Sequence, residues 1–346
     1  MPQPSAADPS FAGGSPQPIH PPAYERSALR RSIVHIGVGG FHRAHFATYV
    51  DDLCLQGERG WSIVGAGVLE HDARVDASLR PQDLLYTMVI RGAGAETART
   101  IGSIVDFIHA WPSAERLIEQ IADPTTQIVS LTVTEGGYPV DDRTGSFIPT
   151  SPNAAAGSTF AVLASALDRR RAAGGNGLTV LSFDNILGNG RATRTATVGA
   201  GNAIDPSLGD WIEQRVSFPN SMVDRITPTT NDHDVASLLE RHGIVDAWPV
   251  VTEPFRQWVV EDDFAGERLP LEQLDVIVTD DVEPYEVMKL RLLNAGHSCL
   301  AYLAALLGVQ TVDAALADPQ IHLFVDRFLR SEARPVVPPV AGVDLD

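Results

Sequence analysis

Cysteine is almost missing from this 346-residue sequence: there are two, Cys54 and Cys299, far apart in the chain. Two such thiols exclude a disulfide framework and a cysteine-based metal site, and a reducing cytoplasm is the simplest home for them. No run of apolar residues is long enough to span a bilayer. Positive charge is also scarce, with 26 Lys plus Arg against 44 Asp plus Glu and a net charge of −18. A surface that acidic repels phosphate backbones and anionic lipid, so nucleic acid and membrane are not expected as partners. A neutral small molecule is compatible with it. What remains is an ordinary globular composition, 44% hydrophobic and 20% charged, in a chain long enough for a large core and more than one domain.

The first thirty residues are rich in Pro, Ser and Ala and lack an apolar h-region, which predicts a disordered leader over 1–30 and not a secretory signal. Arg30-Arg31 precedes an apolar run, but that run reads as a first strand, not as twin-arginine export. Residues 32–36 are β-rich, end in Gly37-Val38-Gly39-Gly40, and lead into a helical stretch over about 42–55. Further buried strands are expected over 61–64, 127–133 and 177–183, with an amphipathic helix over 158–173. Alternation of this kind predicts an α/β, Rossmann-type domain with a mostly parallel sheet covered on both faces, over 31–283. Beyond Glu283 the chain has helix formers and no turn signal before Gly308, then a second helical stretch over 318–330. An all-α domain is expected over 284–346.

Gly37-x-Gly39-x-x-His42 resembles the dinucleotide fingerprint, with His in the third glycine position. Glycines let the backbone approach a pyrophosphate, and a helix N-terminus supplies N–H groups to it. The acidic residue that bonds the ribose stands about 20 residues on in that motif. Here the candidates, Glu70 and Asp72, lie further along, after the second strand and its Gly65-x-Gly67 turn. A carboxylate there favours NAD over NADP, and a solvated loop acid is the competing explanation. His35, His42 and His45 invite a metal, but no partner segment rich in Cys or His accompanies them, so packing or hydrogen bonding is expected and no metal is.

The strongest chemical pattern is KLRLLNAGH over 289–297. On a helix, Lys289, Asn294 and His297 stay within reach of one groove, Arg291 points elsewhere, and Leu290, Leu292, Leu293 and Leu300 bury the supporting sides. Removing hydride from an alcohol needs a proton acceptor and a site for the developing alkoxide. A partly desolvated lysine can serve as base, an asparagine amide can donate to the alkoxide, and His297 can orient substrate. Glu286, three residues before Lys289, could relay the proton to solvent. An ordinary amphipathic helix with a surface lysine explains the same letters. Tyr285-x-x-x-Lys289 has the spacing of a short-chain dehydrogenase pair but stands too far from the glycine turn, and Tyr285 is expected to pack.

Taken together, 33–45 (IVHIGVGGFHRAH), 130–138 (SLTVTEGGY), 182–190 (SFDNILGNG), 218–228 (FPNSMVDRITP), 248–258 (WPVVTEPFRQW) and 279–297 (TDDVEPYEVMKLRLLNAGH) resemble the long-chain mannitol dehydrogenase family of polyol-specific dehydrogenase/reductases. These stretches occur in family order and cover nearly the whole chain after residue 30. The resemblance implies metal-independent, NAD-dependent interconversion of a sugar alcohol and its ketose, D-mannitol and D-fructose first among them, with Lys289 as base. It implies that Asn185 and Asn294 stabilise the alkoxide, that His297 contacts substrate and that Asp224 bonds substrate hydroxyls. Gly37, Gly39 and Phe41, His42 and Arg43 match the pyrophosphate turn, and Asp72 the NAD-discriminating acid. Two departures stand out. His71 replaces an acid that often precedes the Asp72 position, and the family continues through a further helical region, so the helical domain is expected to be incomplete. A hexuronate reductase (fructuronate or tagaturonate) and a catalytically weak NAD-binding fragment are the alternatives.

Overall fold

The computed structural model describes residues 16–92, 94–141, 143–149, 158–340 and 342–345. It divides into two compact units, Met1–Val278 and Thr279–Asp346. The division precedes residue 283, which begins the Glu283–Met288 helix inside the second unit.

The first unit is built on a five-stranded parallel sheet. Its order is Ile104–His109, Ile63–Gly67, Ile33–Ile36, Ile128–Leu131, Thr179–Ser182. Every residue of the three central strands is buried, as short parallel strands covered on both faces require. Alternation sorts the side chains. Ile33, Ile63 and Ile128 join a core with Phe46, Trp61, Phe107 and Trp258 on one face. Val34, Val64, Val129 and Val180 join Phe160, Leu163 and Leu167 of the Thr159–Ala172 helix on the other. The chain winds outward from Ile33–Ile36 to Ile63–Gly67 and Ile104–His109. It then crosses back to Ile128–Leu131, so the direction reverses at the Ile33–Ile36/Ile128–Leu131 pair. Such a reversal opens a crevice at the C-terminal ends of the strands, where α/β sheets bind ligands.

The sequence pattern did not disclose the accessory strands. Tyr86–Gly92 and Ala95–Ile101 form an antiparallel hairpin, with Val250–Thr252 parallel alongside. Ser221–Asp224 pairs antiparallel with Gln257–Glu261. The leader expected over 1–30 is also corrected for residues 16–30; residues 1–15 lie outside the described ones. Gln17–Pro18 pairs with Ile244–Val245, Tyr24 OH donates to Asp51 Oδ1 at 2.5 Å, and Arg26 donates to the carbonyls of Gly102 and Ile104. A few well-placed anchors in a Pro-rich stretch outweigh its composition.

The second unit is helical. Ala295–Leu306, Val312–Ala317 and Pro319–Phe328 pack Leu300, Ala304, Ala315, Ile321 and Val325 into a small core. No helix among the described residues is long and apolar enough to cross a membrane.

Candidate active site

The glycine turn forms one wall of a cleft of about 720 Å³ at the reversal point. Gly37 has φ +99, and a Cβ placed on it would lie 2.1 Å from the Thr132 carbonyl oxygen of the neighbouring strand. Backbone therefore packs on backbone here, and only glycine fits. Gly39 lines the same cleft, and a Cβ there would meet nothing closer than 3.9 Å. Asp72 lines it too. Its Oδ2 accepts the Leu69 N–H at 2.9 Å, and its Cβ abuts Gly67, where a side chain would stand 2.3 Å away. Between the two acids left open by the sequence, Asp72 is at the cleft and Glu70 is not among the lining residues. Glycine backbone at a strand end with a carboxylate one strand over is the donor set that a dinucleotide's pyrophosphate and ribose require, so the residues present fit that group.

Phe41, His42 and Arg43 are not among the residues that line the cleft. Arg43 is buried, donates to the Trp248 carbonyl, and lies over the Trp248 and Tyr86 rings at 4.1 and 5.2 Å. The helix after the turn is shorter than expected. Gly40–Ala44 ends at His45, and a separate helix runs Phe46–Leu55. At the break, His45 Nε2 reaches the Gln257 carbonyl at 2.8 Å and its ring stacks on Phe41. His35 meets Ser130 Oγ at 2.8 Å and Thr132 Oγ1 at 3.0 Å, and His42 stacks on it with 3.4 Å between ring centroids. His35 and His45 pack and hydrogen-bond within the fold, whereas buried His42 packs by stacking, with neither ring nitrogen hydrogen-bonded among the described residues.

Burial holds the pKa of His35 down at about 3. In the unfolded chain imidazole titrates near 6.5, so between those values the unfolded state binds more protons. Stability from this one group is therefore lost as pH falls from about 6.5 towards 3, at up to about 1.4 kcal/mol per pH unit. His35→Gln should flatten the dependence of the urea midpoint on pH between 7 and 5, and an unaltered slope would mean that the ring is not kept neutral.

The facing wall is the loop after Ile128–Leu131, where Thr132, Val133, Thr134, Gly136, Gly137 and Tyr138 line the cleft. Asp184, buried at the end of the adjacent strand, accepts hydrogen bonds from Val133 N–H (3.1 Å), Thr134 N–H (2.9 Å) and Tyr138 OH (2.7 Å). The next residue, Asn185, is exposed. Buried Asn189 donates to the carbonyls of Ser182, Asp184 and Ser221, tying this turn to the Ser221–Asp224 strand that carries half-buried Asp224. Asn185 and Asp224 thus stand on one cross-braced scaffold. The sequence reading missed Asp184, Tyr138 and Asn189. The available signal was position, since they flank Asn185 or sit in the TEGGY stretch, but only the fold shows that these stretches touch.

In the second unit, Lys289–Asn294 is a π-helix between the α-helices Glu283–Met288 and Ala295–Leu306. This corrects the expected regular helix. On an α-helix residues five apart are turned about 140° from each other, a poor arrangement for Lys289 and Asn294. The i→i+5 bonding of a π-turn, with Ala295 N–H donating to the Leu290 carbonyl, reduces that angle and turns such residues towards one face. Lys289 and Asn294 are half-buried, Glu286 is buried, and His297 is exposed with Nδ1 3.1 Å from the Leu293 carbonyl. Leu290 and Leu293, expected to bury the supporting sides, are instead 42% and 37% exposed. Tyr285 is buried, as a packing residue should be.

Comparison with known proteins covers both units. Residues 31–273 match the model of the mannitol dehydrogenase Rossmann domain, and 281–346 that of the mannitol dehydrogenase C-terminal domain. A mannitol 2-dehydrogenase of Cereibacter sphaeroides is 46% identical over 94% of this chain and 69% of its own length. One of Pyrenophora tritici-repentis is 44% identical over 95% of this chain and 61% of its own. Among solved structures, the ternary complex of Pseudomonas fluorescens mannitol 2-dehydrogenase with NAD and D-mannitol superposes with a TM-score of 0.88 at 44% identity, covering 94% of this chain and 68% of that one. A substrate-free D-sorbitol dehydrogenase gives 0.87 at 36% identity, covering 96% and 70%.

Proposed function

The chain belongs to the mannitol dehydrogenase family, and from that premise we propose that it interconverts a sugar alcohol and its ketose with NAD, D-mannitol and D-fructose being the favoured pair. The relative whose structure holds NAD and D-mannitol, similar over 94% of this chain, supports that choice. NAD, when bound, takes or returns the hydride. Gly37 and Gly39 would admit its pyrophosphate and Asp72 would bond its adenosine ribose while repelling a 2′-phosphate.

The observation that carries the reading is one of composition and placement together. Of 26 basic side chains in the chain, 25 are arginine and a single one, Lys289, is lysine. Arginine serves wherever a fixed positive charge is wanted, but it does not release its proton in proteins. The one position that keeps an amine is the one where the reaction needs a base, on a π-turn with Asn294. Lys289 takes the hydroxyl proton, Asn185 and Asn294 donate to the developing alkoxide, Asp224 and His297 bond neighbouring hydroxyls, and Glu286 passes the proton towards solvent. An amine and two amides meet the demands of the transition state, so chelator-insensitive turnover is expected. Both cysteines are free thiols, which suits a reducing cytoplasm.

The test is a substrate panel on one sample: NADH titrated by fluorescence, fructose reduction, and oxidation of mannitol, sorbitol and mannonate with NAD and with NADP. Mannitol turnover with NAD is expected to dominate. Preference for mannonate would indicate a hexuronate reductase, and binding without turnover a nucleotide-binding protein. Losing one oxyanion donor typically costs about 2.7–4 kcal/mol. Asn185→Ala and Asn294→Ala should therefore each lower kcat by about 10²–10³ while leaving the NADH Kd nearly unchanged; a shift in Kd with kcat intact would remove both amides from the alkoxide site.

A further inference from the structure

Asp184 lies outside the chemistry just described, yet it is the most heavily used acceptor beside the cleft. The geometry points to Asp184 as a positioning residue, a clasp that holds the cofactor-side loop and Asn185 in one register, so that the dinucleotide wall and the proposed alkoxide donor are set together. This inference rests on the reading of Asn185 given above.

Three observations carry it. First, the carboxylate closes the loop at both ends. It accepts Val133 N–H and Thr134 N–H where the chain leaves its strand, and Tyr138 OH where the loop returns. All three residues line the cleft. Second, the loop between them turns on one strained residue, although Gly137 N–H and Tyr138 N–H bond back to the Thr134 and Glu135 carbonyls. Thr134 has φ +63 and ψ 164, a conformation that L-residues rarely adopt and that persists only where surrounding contacts impose it. The Asp184 bond to its N–H is such a contact. Third, the clasp is rigid on the other side. Tyr138 OH also meets Ser182 Oγ at 2.7 Å, Ser182 Oγ accepts the Asp184 N–H at 3.2 Å, and the Asp184 carbonyl accepts from Asn189 at 3.1 Å. Asn185 follows directly from this fixed point. The loop and Asn185 are therefore set by the same residue, the loop through its carboxylate and Asn185 through one peptide bond.

Asp184→Asn keeps size and shape but replaces one acceptor oxygen with a donor. Val133 and Thr134 bond different carboxylate oxygens, so either orientation of the amide leaves one of the two N–H groups facing an N–H and loosens that end of the loop. In the full chain, the expected result is a rise of about tenfold or more in the NADH Kd and a fall of about a hundredfold in kcat for fructose reduction. KM for fructose should stay within about twofold, because alkoxide donors act in the transition state and not on bound ground state. Tyr138→Phe removes the bonds to Asp184 and Ser182 but leaves the two backbone N–H bonds in place, and is expected to raise the Kd about three- to tenfold; it decides the matter if Asp184→Asn does not fold. Lowered melting temperature with unchanged Kd and kcat would show Asp184 to be merely structural and overturn the inference, as would two folded variants indistinguishable from the parent. If the parent binds NADH but reduces no fructose, the assigned activity fails, while the Kd comparison still judges the clasp by itself.

Discussion

Lys289→Arg should lose about 10²–10⁴ of the parent's kcat for mannitol oxidation near neutral pH, the range that a positioned general base contributes. The substitution is chosen because it preserves positive charge and a long stem while removing only the ability to give up a proton at accessible pH. Lys289→Met, which removes charge as well, should fall to the same level. If arginine instead restored most of the activity, the side chain would be an electrostatic anchor and another group the base. The loss should narrow as pH rises and hydroxide takes over the proton. Because 289 is the one lysine in the chain, its amine can also be followed without mutation. An amine-selective acylating reagent can modify only this side chain and the N-terminal amine, and peptide mapping separates the two. Loss of turnover should track acylation at 289, and NADH, if it shields the site, should slow it. Turnover that survives complete acylation of 289 would dispose of the assignment.

What the sequence made legible, and what it hid, divides along physical lines. The parallel strands at 33–36, 128–131 and 179–182 were readable because strands buried on both faces are short, continuous and apolar; the second strand was read over 61–64, but it runs Ile63–Gly67, so that Gly65-x-Gly67, expected as a turn, lies within it. The glycine turn was readable because backbone-on-backbone packing leaves only one residue type possible. The hairpin at 86–101 and the pair formed by 221–224 and 257–261 were not, since their partners are distant in sequence and their pattern is neither a clean alternation nor a long run. Side-chain direction was hidden too. The motif letters put His42 and Arg43 in the pyrophosphate turn, but buried Arg43 turns to Trp248 and His42 stacks on His35. The helix carrying Lys289 was visible, its π-turn was not, because hydrogen-bond register leaves no mark in a leucine-rich stretch such as LRLLNAG. The lone lysine was visible in the composition from the start, and its force becomes plain only when set against 25 arginines.

The second large effect concerns the turn. Gly37→Ala meets two obstacles at once, a φ of +99 and a carbonyl oxygen 2.1 Å from the new Cβ. A left-handed backbone costs an L-residue roughly 1–2 kcal/mol, and overpacking against backbone that cannot step aside typically adds about 1–3 kcal/mol. The sum of about 2–5 kcal/mol is expected to appear as lost stability, lost NADH affinity, or both, because relieving the clash means separating Ile33–Ile36 from Ile128–Leu131 at the mouth of the cleft. Two other glycines resolve the causes. Gly57 has φ +102 and nothing within 4 Å of the point where a Cβ would stand, so Gly57→Ala should show the backbone penalty alone, read in urea, and no change in NADH binding. Gly39 has φ −108 and open space around it, but it lines the cleft. Gly39→Ala should therefore leave the urea midpoint within about 0.5 kcal/mol of the parent and weaken NADH binding by intruding on the pyrophosphate. If Gly37→Ala bound NADH as tightly as the parent and unfolded at the same urea concentration, the close approach of Thr132 to the turn would not exist in solution, and the cleft would have to be formed by other residues.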